Sequence, residues 1–389
     1  MNAPRNTEAF EERVDDGVVG SSPMMLLQAD LLARAGRRVC LVEREARLGG
    51  SWQTATLESG ETVEIACHLI EFFPGIYELL EEASDTPFVA LDAQPIRIHP
   101  TGLTVPYLSR MLMLATGARL FAGWAKARLD WALGRTNDRN RLINFQTKLS
   151  SYLRYQGPAF FQRPIMKGPK HGFVDFMDRL EARARHAGVA IQGFDVSQMS
   201  RIDQGPWKLT SAAGSTLYAE HVHCTTSTNL RRAGDGHFQA VPQTFAQRFC
   251  VVAEVQNNDI HISQSYVAFW KNPAVARISR IDMPGTYTFQ RFLIEFHNPD
   301  SAADSDLSDV IRKHLENAKI IAAGGSFEIV GHVNCQFTTN VDQLPSGKID
   351  NNLWGYYSMG NLAAGLAAWR KAPRLPALLA GSCVERKDG

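Results

Sequence analysis

The chain has 389 residues, of which 44% are hydrophobic and 21% charged, a balance that excludes a disordered or fibrous protein. That length exceeds one simple core and suits two domains, consecutive or interleaved. Lys and Arg number 41 against 40 Asp and Glu, so no net field draws in nucleic acid, and no nucleic-acid partner is expected.

The six cysteines, Cys40, Cys67, Cys224, Cys250, Cys335 and Cys383, form no C-x-x-C pair. Such scatter points to reduced thiols and a cytoplasmic setting. The polar, acidic opening stretch lacks the pattern of a signal peptide. No run of about 18 apolar residues is present, so no spanning helix is expected.

Residues 1 to about 14 read as a solvated leader. Gly17-Val18-Val19-Gly20 reads as a short apolar strand, broken by Ser21-Ser22-Pro23. From Met24 to Ala35, Leu26, Leu27, Leu31 and Leu32 recur at helical spacing, with Ser22 as N-cap, Pro23 in the first turn and Gly36 as terminator. Arg38 to Glu43 reads as a buried strand. Strand, tight turn, helix and strand make one βαβ unit of an α/β, Rossmann-type fold.

Beyond Gly49-Gly50, short strands are expected at Thr54–Leu57, Val63–Ala66 and Phe88–Leu91, with a helix near Gly75–Ala83. The stretch from Tyr107 to about Tyr155 is strongly helical in composition. A second α/β stretch follows. It comprises a helix over Phe173–Ala187, a strand at Val189–Gln192, a meander of Val196–Ile202, Trp207–Thr210 and Thr216–Tyr218, and a closing strand at His221–Thr225. Residues from Phe238 to about Pro299 read as β-rich. Asp306–Ile321 reads as a helix, and Gly355–Arg370 as a closing amphipathic helix.

A dinucleotide site needs a turn whose backbone N–H groups face the pyrophosphate at a helix N-terminus. The usual pattern is G-x-G-x-x-G with an acidic residue about 20 positions on, which binds a ribose hydroxyl. Gly20, Ser22 and Met25 occupy the three glycine positions, and Glu43 ends the second strand. Only the first glycine is present. Beyond Glu43 come Arg44, Arg47, Gly49, Gly50, Ser51 and Trp52.

Taken together, the segment from Val18 to Trp52 resembles the N-terminal part of FAD enzymes of the amine-oxidase and protoporphyrinogen-oxidase type. Cys67-His68-Leu69-Ile70 and the helix carrying Tyr77-Glu78-Leu79-Leu80 look like the segment that passes the flavin ring in UDP-galactopyranose mutases and their relatives. Pro169-Lys170-His171-Gly172-Phe173 resembles the start of a second FAD-contacting segment. Gly188-Val189-Ala190-Ile191, followed by Val196, resembles the strand whose backbone meets adenine. Near the C-terminus Tyr357-Ser358-Met359-Gly360-Asn361 stands where relatives carry Gly-Asp.

The resemblance implies FAD as cofactor. It implies a dinucleotide site of Gly20, Ser21, Ser22, Pro23, Glu43, Arg44, Gly49, Gly50, Ser51, Trp52, Val196, Gly360 and Asn361, with His68 beside the flavin ring. A buried histidine bonded to backbone is the equal alternative for His68. The division expected is 1–66 and 166–235 for FAD binding, 67–165 as a helical roof, 236–335 as an interleaved, β-rich substrate domain and 336–389 as a C-terminal FAD-contacting segment.

His221 and His223 share one strand face, but no third ligand accompanies them and no metal is expected. Tyr107–Gly134 is apolar, with Arg110, Arg119, Lys126 and Arg128 spaced through it and Arg135 beside it. Peripheral membrane contact is one reading of this stretch. A buried helical roof over the substrate pocket is the preferred one. The leading function is an FAD-dependent oxidoreductase acting on a small, lipidic or glycosyl substrate. A mutase-like flavin isomerase of sugar nucleotides, with Arg154, Tyr155, Arg163 and Lys167 on a diphosphate, is one alternative. The other is a flavin-free scaffold, as in the Rab GDP-dissociation inhibitors.

Overall fold

A computed structural model of the chain describes residues 10–45, 47–50, 52, 54–65, 70, 76–106, 109–136, 142, 146, 149, 153, 165–203, 205–225, 230–233, 236–241, 244–281, 287–297, 306–340 and 347–356. The order of elements opens with β1 (Glu11–Val19), α1 (Pro23–Arg34) and β2 (Val39–Glu43). The hairpin β3 (Thr54–Thr56) and β4 (Thr62–Glu64) and then α2 (Ile76–Ser84) follow. Short strands β5 (Phe88–Ala90), β6 (Ile96–Ile98) and β7 (Thr104–Pro106) lead into the long α3 (Arg110–Ala132). Next, β8 (Lys167–Pro169) runs directly into α4 (Gly172–His186).

The chain then forms β9 (Ala190–Gly193), β10 (Val196–Arg201), β11 (Trp207–Ser211), β12 (Thr216–Thr225), β13 (Leu230–Arg232) and β14 (Phe238–Ala240). Its last described part holds β15 (Thr244–Gln256), β16 (Tyr266–Phe269), β17 (Val275–Arg280), β18 (Phe289–Phe296), α5 (Leu307–Asn317), β19 (Glu328–Asn340), β20 (Gly347–Asp350) and β21 (Leu353–Tyr356).

Two sheets organise these elements. The first runs β13-β14-β10-β11-β12-β1-β2-β9, with β21 parallel to the far half of β12. Its centre is parallel: β12, β1, β2 and β9 lie side by side in register. One face packs on α1, α2 and α4 through Leu26, Leu41, Leu80 and Phe176, and Trp207, Phe238 and Leu353 belong to a second cluster of the same sheet. The second sheet runs β19-β15-β18-β17-β16-β6-β7 and is antiparallel apart from the β16–β6 pair. Phe292, Ile294 and Phe296 of β18 pack on Ile311 and Leu315 of α5. Leu293, of opposite parity, packs with Cys250 and Val252 on Leu57, Val63 and Ile65 beside the β3–β4 hairpin. The hairpin thus lies on the side of the second sheet away from α5.

Three sequence readings change. First, β1 begins at Glu11 rather than Gly17, because Glu11 to Val14 pair in register with Thr216 to Ala219. Charged residues hid this half-strand. Asp16 is buried on it, held by the His223 ring at 2.8 Å and by Arg37. Burial raises the Asp16 pKa, but the hydrogen bond and charge of His223, with those of Arg37, more than offset this and leave it lowered. Second, Thr216–Tyr218 and His221–Thr225 are one strand. Third, Gly355 and Tyr356 belong to β21 rather than to a helix, and residues 357–370 lie outside the described residues.

His314 of α5 illustrates how burial sets the pH response. Its Nδ1–H donates to the Val310 carbonyl at 2.7 Å, and Nε2 takes the Asn272 amide at 3.0 Å, which fixes the neutral ring. Burial pushes its pKa below the usual 6.5, as it does for His221. A lowered folded pKa contributes stability that is present above 6.5 and lost as the pH falls through the folded value. The melting temperature should therefore fall between pH 7 and pH 5, and His314→Gln should flatten part of that slope. A wild-type melting temperature constant across this range would contradict the assignment.

Candidate functional site

The turn between β1 and α1 sits at the carboxyl end of a central parallel strand, where open α/β sheets bind ligands. Gly20 adopts φ +94°, and its N–H donates to the Val42 carbonyl at 2.9 Å, which ties the turn to β2. Ser22 takes the N-cap position of α1, as expected, but its side chain makes no capping bond. Its carbonyl accepts from Met25 N–H at 2.8 Å and Leu26 N–H at 3.0 Å. Pro23 follows at the first helical position, where its missing N–H costs no intrahelical bond.

Ser21 carries the geometry of the site. Its hydroxyl donates to Glu43 Oε2 at 2.6 Å and accepts from the Gly49 N–H at 3.0 Å. The same Gly49 N–H also lies 3.1 Å from the Ser21 carbonyl. The other carboxylate oxygen of Glu43 accepts the Glu45 N–H at 3.0 Å. Glu43 thus ends β2, nearly buried, with one protein donor on each oxygen and lone pairs left for further donors.

The second glycine pair is required by packing. A Cβ on Gly50 would lie 3.3 Å from Ser22 Cα, and one on Gly49 would lie 2.6 Å from the Trp52 carbonyl oxygen. Trp52 meets Phe173 edge-on at 5.0 Å and so joins this loop to α4. Arg47 anchors it to the hairpin through Thr54 and through Thr62 at 3.2 Å. Arg44 instead pairs with neighbouring Glu45. Met25 is a core residue, 1% exposed, filling the place where close helix–strand packing usually favours glycine.

The remaining candidates divide. Phe194 N–H donates to the Glu43 carbonyl at 2.9 Å, so the chain leaving β9 passes the acidic end of β2. Val196 begins β10 two residues later, with its side chain in the core. His221 and His223 lie against Trp354, at 5.5 Å and 5.3 Å, and His223 serves Asp16. Lys167 sits over the Tyr77 ring at 5.6 Å. His68, Cys67, Ser51, Arg154, Tyr155, Arg163, Met359, Gly360 and Asn361 lie outside the described residues.

A cavity of about 260 Å³ opens where β4, the start of α4 and β18 meet. Glu61, Glu64, Lys170, His171, Tyr287 and Arg291 supply its polar lining, and Phe173 and Ile281 its apolar lining. Arg291 pairs with Glu61 and lies over Tyr287 at 5.6 Å, while Tyr287 stacks on Phe289 at 5.0 Å. Sequence reasoning singled out Lys170, His171 and Phe173 but missed Glu61, Tyr287 and Arg291 beside them. Their one legible signal is the parity of β18, in which Arg291 and Glu295 interrupt an apolar strand on a single face. Glu295 is fully buried between Arg248 and Arg277, a bridged charge rather than an orphan.

Residues 18–83 match the family of NAD(P)-binding Rossmann-like domains. No protein of curated function matches the chain by sequence. Among solved structures, a putrescine oxidase redesigned in its cofactor binding is similar with a TM-score of 0.59, over 96% of this chain and 100% of that one. The two share one fold. Identity to that oxidase is 14%. Cyclohexylamine oxidase from Brevibacterium oxydans is similar with a TM-score of 0.57, at 13% identity over 92% of this chain and 99% of that one. An oxidoreductase from Methanosarcina mazei gives 0.54, at 13% identity over 92% and 100%.

The first sheet depends on a self-bonded turn at the end of β1 and β2, which gives a direct test. Ser21→Ala leaves a buried carboxylate without its hydroxyl donor and should cost about 1.5–3 kcal/mol of unfolding free energy. Gly49→Ala forces a side chain into a glycine conformation and should cost about 1–3 kcal/mol. Denaturant unfolding of both variants measures this, and wild-type midpoints would contradict the packing role.

Proposed function

We propose that the chain is an FAD-dependent oxidoreductase that binds the adenosine-diphosphate half of FAD at the β1–α1 turn. The carrying observation is Glu43, a nearly buried carboxylate at the end of β2, aligned by Ser21 and the Glu45 N–H beside a helix N-terminus. The residues present fit the group. Gly20 makes the turn, the Ser22 hydroxyl, which makes no capping bond, and the first turn of α1 would face the pyrophosphate, and Glu43 would take ribose hydroxyls on its remaining lone pairs. When bound, FAD supplies the two-electron chemistry, and the protein binds and orients it.

The Glu61–Arg291–Tyr287 cavity would hold the substrate. Arg291 and Tyr287 would position an acceptor group, while Phe173 and Ile281 narrow the access of water. His68 is retained as the residue beside the flavin ring. The buried thiols Cys40, Cys224 and Cys250, none of them in a disulfide, support a reducing, cytoplasmic setting, the Cys224 thiol being pushed up to about 12 by burial.

Two observations favour a second reading, a flavin-free scaffold of the same fold. Both Glu43 oxygens already have donors within the protein, and Met25 completes the core. The visible spectrum of the purified protein, and of protein soaked with excess FAD, separates the two. A flavin band that stays with the protein on gel filtration supports the oxidoreductase, and its absence in both samples leaves the scaffold. Glu43→Ala should then weaken FAD by at least about tenfold more than Ser21→Ala, since only the first removes the ribose acceptor. Equal losses would remove Glu43 from ribose binding.

A further inference from the structure

The α3 helix is the least buried long element among the described residues. Met113 and Ala127 are buried, and Leu120 and Trp124 half-buried, on its inward side. The outward side is apolar. Met111 is 82% exposed, and Leu114, Phe121, Leu129 and Leu133 are each more than half exposed. The expectation of a buried roof is therefore not met. A buried stripe would hide these residues, and this one presents them to solvent.

Their spacing makes one continuous stripe. Met111, Leu114, Ala118, Phe121 and Ala122, Ala125, Leu129 and Ala132 follow one another at intervals of three or four, the repeat of a single helix face. Basic residues border it on both sides. Arg110 and Arg128 are 18 residues apart, five full turns, and share one edge, while Arg119 and Lys126, two turns apart, share the other. Asp130 is the helix's one acidic residue, half-buried beyond the Arg119 edge. In a chain of net charge +1, this is a local concentration of positive charge around an apolar face.

We propose that α3 lies in the plane of an anionic membrane surface. Its apolar stripe would rest at the boundary between headgroups and acyl chains, with the Arg119 and Lys126 edge on lipid phosphates, while Arg128 lies over the Trp124 ring at 5.5 Å on the other border. Long basic side chains bordering a stripe extend outward and keep their charges at the headgroups while the stem covers apolar surface. An apolar face with charged borders binds in plane, and anionic lipid adds to the attraction. A helix of 23 residues is about 35 Å long, enough to cross a bilayer, yet none of the described helices is apolar enough to do so. The hairpin β6–β7, which pairs Ile96 with Pro106, ties the start of α3 to the second sheet, so docking would place that sheet near the membrane. This inference stands apart from the flavin reading.

Flotation of the full chain with phosphatidylcholine vesicles, with and without phosphatidylserine, tests it. The protein should float with the anionic vesicles and release as salt rises, since screening weakens the basic edges. Phe121→Glu with Leu129→Glu, and separately Arg119→Glu with Lys126→Glu, should each reduce the bound fraction at least about tenfold. These residues are exposed, so both variants should keep the wild-type melting temperature. Failure of the wild type to float with anionic vesicles overturns the proposal, as does equal flotation of the variants. A wild-type dimer that the Phe121→Glu, Leu129→Glu variant dissociates, without vesicle binding, would instead assign the stripe to a second copy of the chain.

Discussion

One hydroxyl holds the carboxyl ends of β1 and β2 together. Ser21 donates to Glu43 and accepts from Gly49, so the β1–α1 turn, the end of β2 and the second glycine pair converge on a single side chain. Each of these segments is set by a different force. Parallel pairing on both sides places β1, apolar packing places α1, and close backbone approach requires glycine at 49 and 50. Burial in a weakly polar environment strengthens the Ser21–Glu43 contact and raises the cost of losing it. Any dinucleotide would meet a turn whose shape is already fixed, and binding would spend little on ordering it.

The same arrangement explains why a glycine loop with one glycine still forms the expected turn. Of Gly20, Ser22 and Met25, only Gly20 has a backbone that demands a left-handed conformation, with φ +94°. Ser22 tolerates its place because it sits at a helix N-cap, and Met25 because its side chain is absorbed by the core around α1. Exchanging Met25 for glycine would therefore open a cavity, costing about 2–5 kcal/mol by analogy with other large-to-small core changes. The departures from the usual pattern change how the turn is packed while its backbone path is kept.

Much of the first sheet was legible because its signals are local. The apolar run into Gly20, the helical spacing of Leu26 to Leu32 and the run from Arg38 to Glu43 each depend on neighbours in sequence. The start of β1 was not legible, because buried Asp16 is held by the His223 ring across 207 residues as well as by Arg37, and a charged strand reads as solvent-exposed without those partners. The cavity was hidden for the same reason: Glu61 and Arg291 are brought together only by the hairpin crossing the second sheet. In α3 the sequence gives the helix and its stripe but not the direction the stripe faces, which only the tertiary structure decides.

The central claim is that the β1–α1 turn recognises the adenine half of FAD. Melting temperatures of the protein with saturating FAD, ADP or FMN test it most directly, because a ligand bound only by the folded state raises the transition in proportion to its affinity. The account predicts that FAD and ADP both raise the melting temperature, FAD the more, while FMN, which lacks the adenosine half, leaves it unchanged. A shift with FMN and none with ADP, or no shift with any of the three, would contradict it.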